Sequence, residues 1–187
     1  MLVVAGVADP GNVGALARCA EAFGARAIVF AKGGASPWNE KALRGSMGSL
    51  LRVPVSYGAS AETIAHELES RGVRQIVAAT RGGKDPRAFD WDGPLALWIT
   101  SETGALPPAA STFEKLTIPM AGRAESLNVT VAAALLLFAS GRAHHSAAHC
   151  ASGPIAKRSK DIVEQRQGSS PARGERVSAR PKGKRRG

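Results

Sequence analysis

Short apolar runs alternate with helix-length stretches from the first residue to about residue 142, and this alternation narrows the possible folds most. Leu2 to Val7 reads as a strand. Pro10 to Phe23 reads as a helix with Asp9 as its cap, and Pro10 suits the first turn, where the proline's missing N–H is not needed. Gly24 ends that helix. Further strands read at 27–31, 75–79, 95–99 and 113–118, and Leu50 to Val55 reads as a short extended piece with Pro54 near its edge. Helices read at 38–44 and at 61–72, the second capped by Ser60. Strands joined through helices of this length pair in parallel, so the expected class is α/β: a parallel sheet flanked by helices on both faces.

The stretch IPMAGRAESLNVTVAAALLLFASGR, residues 118–142, closes this pattern. It starts as a strand end, because Pro119 stops the ladder. A loop containing Gly122 leads to an apolar helix that Ser126 or Glu125 is placed to cap. Polar residues at a helix N-terminus suit an anionic ligand better than a core. The apolar run from Val129 to Ala139 is too short to span a bilayer and typical of a buried helix, so no membrane association is expected.

Charge divides the chain. Residues 151–187 hold 11 Lys/Arg and 3 Asp/Glu, and most of the net charge of +10 lies there. From residue 144 onward Gly, Ser, Pro and Arg dominate, and the apolar residues are too few to offset ordering entropy. The expected organisation is a folded domain over 1–143 and a basic, disordered tail over 144–187. Lys157 and Arg158 are the first Lys and Arg of this segment, and its expected partner is a nucleic-acid phosphate backbone. Two cysteines, Cys19 and Cys150, make no disulfide framework and fit a reducing compartment. The N-terminus lacks a basic n-region and reads as a strand rather than a signal peptide, so the expected location is cytoplasmic.

Candidate chemistry gathers at three places. The first turn, ADPGNVGALARCAEAFGA, has glycines but neither GxGxxG nor GxxxxGK[ST], so a dinucleotide or P-loop site lacks its main support. It carries Asn12 at the helix mouth and Arg18 among small and apolar residues, where an unpaired guanidinium is unusual. The strand at 95–99 delivers Thr100, Ser101 and Glu102 to its C-terminal end, where open parallel sheets bind ligands. Ser126 and Asn128 stand before the last helix. His144, His145, His149 and Cys150 have ligand chemistry but no regular zinc spacing, and no metal is expected. Trp38, Trp91 and Trp98 are too scattered for a stacking platform, and Trp98 belongs to the core.

Taken together, DPGNVGALARCAEAFGA, KALRGSMGSLLRVPV, LWITSETGAL and IPMAGRAESLNVTVAAALLL resemble, in order, the motifs of the SpoU/TrmH-type RNA ribose 2′-O-methyltransferases of the SPOUT superfamily. The resemblance runs from about Val3 to Arg142. It implies a parallel sheet whose C-terminal segment forms a trefoil knot, a homodimer, and S-adenosylmethionine as cofactor. By the same resemblance Thr100, Ile118, Met120, Ser126 and Leu127 fall at cofactor-binding positions. Asn12, Arg18, Glu102, Ser126 and Asn128 match the catalytic set. Arg18 is also placed toward the RNA, together with Arg44 and Ser46.

The implied reaction is methylation of a ribose 2′-hydroxyl in ribosomal or transfer RNA. Positioning supplies much of the rate of such an in-line transfer, and the hydroxyl must also lose its proton. Arginine is a poor base, with a pKa above about 12, so Arg18 either has a strongly altered environment or orients ribose and phosphate while another group takes the proton. Thr100 and Ala105 stand where the second motif usually has glycine. A β-branched residue at the first of these positions leaves a second class open: a non-catalytic RNA-binding relative with a weakened cofactor site.

Overall fold

The computed structural model describes residues 1–101 and 108–146, all within one compact unit, Met1–Ala148. Six strands form one sheet: β1 (Leu2–Ala5), β2 (Ile28–Phe30), β3 (Val55–Tyr57), β4 (Arg74–Ala78), β5 (Leu95–Thr100) and β6 (Glu114–Leu116). Their order is β3-β2-β1-β5-β4-β6, and every neighbouring pair is parallel. The helices are α1 (Pro10–Ala22), α2 (Glu40–Gly45), α3 (Ser49–Arg52), α4 (Ala61–Ser70) and α5 (Val129–Ser146). The expected α/β class with a parallel sheet is the observed one.

Alternation along the strands builds two cores. Leu2, Val4, Ile76, Leu97 and Ile99 point to the face covered by α1, α2, α3 and α5, where they meet Leu16, Ala42, Leu50 and Leu136. Val3, Ala5, Val77, Ala96 and Trp98 point to the other face, where α4 supplies Ile64, Ala65 and Leu68. Successive side chains in a strand take opposite faces, so the central strands are apolar throughout. Trp98 is fully buried, and its indole N–H donates to Gln75 Oε1 at 3.1 Å, which satisfies its one polar atom.

Two expectations are corrected. Leu50 to Val55 is not one extended piece: Ser49–Arg52 is helical, and β3 starts only at Val55. The turn of helix buries Leu50 in the core and lets Arg52 reach Glu21 on α1. Pro54, which has no N–H for a ladder, separates the two elements. The last helix is capped neither by Ser126 nor by Glu125. Asn128 does this, with Oδ1 accepting from Thr130 N at 2.8 Å, because the helix begins at Val129 and a cap side chain serves the N–H groups two or three residues on. Helix α5 runs from Val129 to Ser146.

One close approach fixes the α1–α2 crossing. A Cβ on Gly14 would stand 2.4 Å from the Ala42 carbonyl oxygen and 2.8 Å from Ser46 N, so only glycine allows these backbones to touch. Lys41 Nζ, 2.7 Å from Asp9 Oδ1, ties α2 to the start of α1, and the Arg52–Glu21 pair ties α3 to the end of α1.

Candidate active site

A cavity of about 310 Å³ opens at the C-terminal ends of β4, β5 and β6. In open parallel sheets this is the end at which ligands bind, since the loops there vary while the strands hold them. Ala78 ends β4 and Ala79 to Arg81 follow it, Ile99 and Thr100 end β5 with Ser101 just beyond, and Lys115, Leu116 and Ile118 come from β6 and its exit. Met120, Ser126 and Leu127 form the loop side, while Val129, Ala132 and Leu136 of α5 close the apolar floor. Thr100, Ile118, Met120, Ser126 and Leu127, placed in the sequence at cofactor positions, thus all line one cavity.

The polar residues converge from two helix starts. Asp9 caps α1, accepting from Gly11 N and Asn12 N at 3.2 Å each. Its carboxyl is held below the usual carboxylate range by the Lys41 ammonium first and by these N–H groups next. Asn12 Oδ1 accepts from the Thr130 hydroxyl at 3.5 Å, and the backbone N–H of the same threonine donates to Asn128. Asn12 and Asn128, far apart in sequence, therefore meet through Thr130 at the mouths of α1 and α5. Asn128 stands between Leu127 and Val129, both of which line the cavity.

Arg18 is exposed on α1, one and a half turns beyond Asn12, and makes no ion pair among the described residues. Arg44 is exposed on α2, where it pairs with Glu40 at 2.9 Å. Ser46 departs from its expected role: it is 1% exposed, and its hydroxyl donates to Leu43 O at 2.8 Å. Its side chain is packed beneath α1 and is not presented to an RNA strand. Glu102, Lys157 and Arg158 lie outside the described residues, as do Ala105, His149 and Cys150.

The sequence reading passed over the β4 exit. Thr80 and Arg81, together with Lys115 on β6, line the cavity as much as the motif residues do. The available signal was positional: the end of a buried parallel strand followed by TRGGK. Thr130 was missed as well, because an Asn-to-Asn link through a third residue has no sequence spacing to betray it.

Parallel strands, a cavity at their C-terminal ends and polar side chains gathered at two helix starts define an α/β protein with a ligand-sized cleft at the carboxyl end of its sheet. The profile of the SpoU rRNA Methylase family matches residues 1–138, and the chain belongs to that family. The 23S rRNA (guanosine(2553)-2′-O)-methyltransferase RlmP of Bacillus subtilis (strain 168) is 34% identical over 140 residues, covering 74% of this chain and 56% of that protein. The 23S rRNA (guanosine-2′-O-)-methyltransferase RlmB of Ralstonia nicotianae is 36% identical over 140 residues, with the same coverage of 74% and 56%. Among solved structures, the SpoU methyltransferase AviRb from Streptomyces viridochromogenes in complex with AdoMet superposes with a TM-score of 0.73 at 31% identity, covering 78% of this chain and 60% of that one. The chain spans little more than half the length of the curated relatives it matches, 56% in the two cases above.

Proposed function

We propose that this protein transfers a methyl group from S-adenosylmethionine to a ribose 2′-hydroxyl of ribosomal or transfer RNA, acting in the cytoplasm as a homodimer. The observation that carries the reading is the convergence of Thr100, Ile118, Met120, Ser126 and Leu127 on one cavity at the carboxyl end of the sheet. Its size lies at the lower end of the range of about 300–1,000 Å³ usual for small-ligand sites.

The residues present fit the cofactor. Ile99, Leu116, Val129, Ala132 and Leu136 give an apolar floor suited to a purine, and the Thr80, Ser101 and Ser126 hydroxyls suit a ribose. When bound, S-adenosylmethionine supplies an electrophilic methyl on its sulfonium. Thr100, Ile118 and Leu127 would hold it through backbone groups. Asn12 and Asn128, fixed by Thr130, would orient polar atoms of the ribose, and Arg18 would grip ribose and phosphate oxygens with its planar fork. Glu102 belongs to the same proposed catalytic set.

Support for the dimer comes from α5. Val131, Leu135 and Phe138, spaced i, i+4, i+7, are 44–51% exposed and make an apolar stripe on its outer face. Support for the trefoil knot comes from the chain path: β6 is an edge strand beside β4, yet α5, which follows it, packs back on α1 and β5. The catalytic domain is proposed over 1–143 and the basic segment 144–187 as an RNA-binding tail.

The test is transfer of labelled methyl from S-adenosylmethionine to unmodified ribosomal and transfer RNA, followed by mapping of 2′-O-methyl positions. Label at a defined ribose supports the reading. Thr100 in the cavity wall favours one alternative, a silent RNA-binding relative. RNA binding with neither transfer nor cofactor affinity at millimolar concentration would establish that alternative instead.

A further inference from the structure

We propose that Trp38, on the loop after β2, is the platform on which one unpaired base of the RNA substrate stacks, beside the mouth of α1. The inference rests on the proposed reading of the protein as an RNA methyltransferase. The chain has three tryptophans. Trp91 and Trp98 are core, 5% and 0% exposed, and the indole N–H of each donates within the fold. Trp38 is 49% exposed, and its ring meets no other aromatic ring among the described residues. Such an indole keeps a large apolar face in water, and an aromatic face accepts any base, because every base has a π-face of its own.

The loop carries this residue on a fixed frame. Ser36 to Asn39 form a turn in which Asn39 N donates to Ser36 O at 3.1 Å and Trp38 N donates to Ser36 Oγ at 3.2 Å. Pro37 is buried, and its fixed φ suits the second position of such a turn. Asn39 then caps α2, accepting from Lys41 N at 2.9 Å. On the near side of the turn Ala35 N donates to Val7 O, on the exit of β1, at 2.8 Å. On its far side Lys41 Nζ reaches Asp9, the cap of α1. The turn bearing Trp38 is thus tied on both sides to the β1–α1 turn, which leads into Asn12, and Asn12 is proposed to orient the ribose. A strand whose ribose reaches Asn12 passes beside it. Lys32 opens the same loop, exposed and in no ion pair among the described residues, and the chain carries a net charge of +10. Both favour a polyanion over another protein as what covers the ring. An aromatic held in place beforehand loses little freedom when a base lands on it.

Titration of the full chain with two probes tests the platform: oligouridylate, and an abasic ribose-phosphate strand of the same length. Oligouridylate should quench the tryptophan emission of wild type and the abasic strand should not, since Trp91 and Trp98 are buried and Trp38 is the indole open to a base. With labelled strands followed by anisotropy, Trp38→Ala should weaken oligouridylate about fivefold or more, the scale of one lost base–aromatic stack, and leave the abasic strand within about twofold. Trp38→Phe, which keeps an aromatic face, should recover part of the loss. Oligouridylate bound without quenching, or equal loss for both strands in Trp38→Ala, overturns the platform and leaves the RNA reading standing. Unchanged RNA affinity with a loss of dimer in Trp38→Ala also overturns it and assigns the indole to a contact between copies of the chain. Wild type that binds neither strand overturns the RNA reading as well. Thermal melting of each variant separates these outcomes from misfolding.

Discussion

At Arg18, helix α1 offers solvent a guanidinium that no carboxylate among the described residues engages. A side chain so placed adds little to stability, since even paired surface charges contribute only about 0–1 kcal/mol. Arg18→Ala should therefore melt like wild type and bind cofactor normally, while methyl transfer falls by at least about a hundredfold. Arg18→Lys should not rescue it, because the ammonium lacks the planar fork. A folded Arg18→Ala protein with near-normal turnover would remove the residue from the catalytic set. Gly14 carries the opposite kind of role. Gly14→Ala drives a methyl into the Ala42 carbonyl and should destabilise by about 1–3 kcal/mol, read by chemical denaturation.

Among the elements, α1 and the α2–α3 pair are joined by an acid with an altered titration. Glu21 accepts from Arg52 Nε at 2.5 Å and Nη2 at 2.8 Å, and from the buried Ser49 hydroxyl at 2.6 Å. The Arg52 guanidinium first, and the Ser49 hydroxyl next, hold its carboxyl down at about 2, against an ordinary 4.5. A carboxyl depressed in the folded state stabilises fully above its unfolded value and loses that contribution as pH falls through the folded one. The melting-temperature advantage of wild type over Glu21→Gln should thus be constant above about pH 4.5 and shrink toward pH 2. A gap that widens in acid would reverse this account of the α1–α3 joint.

For the whole molecule, the proposed dimer and the proposed RNA-binding tail are each open to measurement. Leu135→Glu puts a charge in the middle of the apolar stripe, and light scattering should show a shift from dimer to monomer, because a buried unpaired carboxylate strongly opposes association. An unshifted dimer would place the interface on another face. Removal of residues 151–187, which carry a net +8, should weaken RNA binding and flatten its salt dependence. Each phosphate that the shortened chain leaves unneutralised lowers the log–log slope by about 0.7–0.9. An unchanged slope would make the tail a bystander.

The alternation of apolar runs was enough to read a parallel α/β sheet, because burial on two faces forces continuous apolar strands and the intervening helices forbid hairpins. The caps Asp9 and Ser60 were legible for a local reason: each serves N–H groups within three residues of itself. Motif order located Thr100, Ile118, Met120, Ser126 and Leu127, but their sharing of one cavity is a property of strand order, which places β4, β5 and β6 side by side. Tertiary structure alone decided the rest. Ser46 is buried because Gly14 lets α1 descend onto it, and Asn12 meets Asn128 only because α1 and α5 pack together. The loop after β4 lies against β6 because backbone hydrogen bonds lace the two together. Local sequence encodes caps and periodicity through interactions a few residues apart. The site is made of interactions tens of residues apart, which exist only once the sheet has ordered its strands.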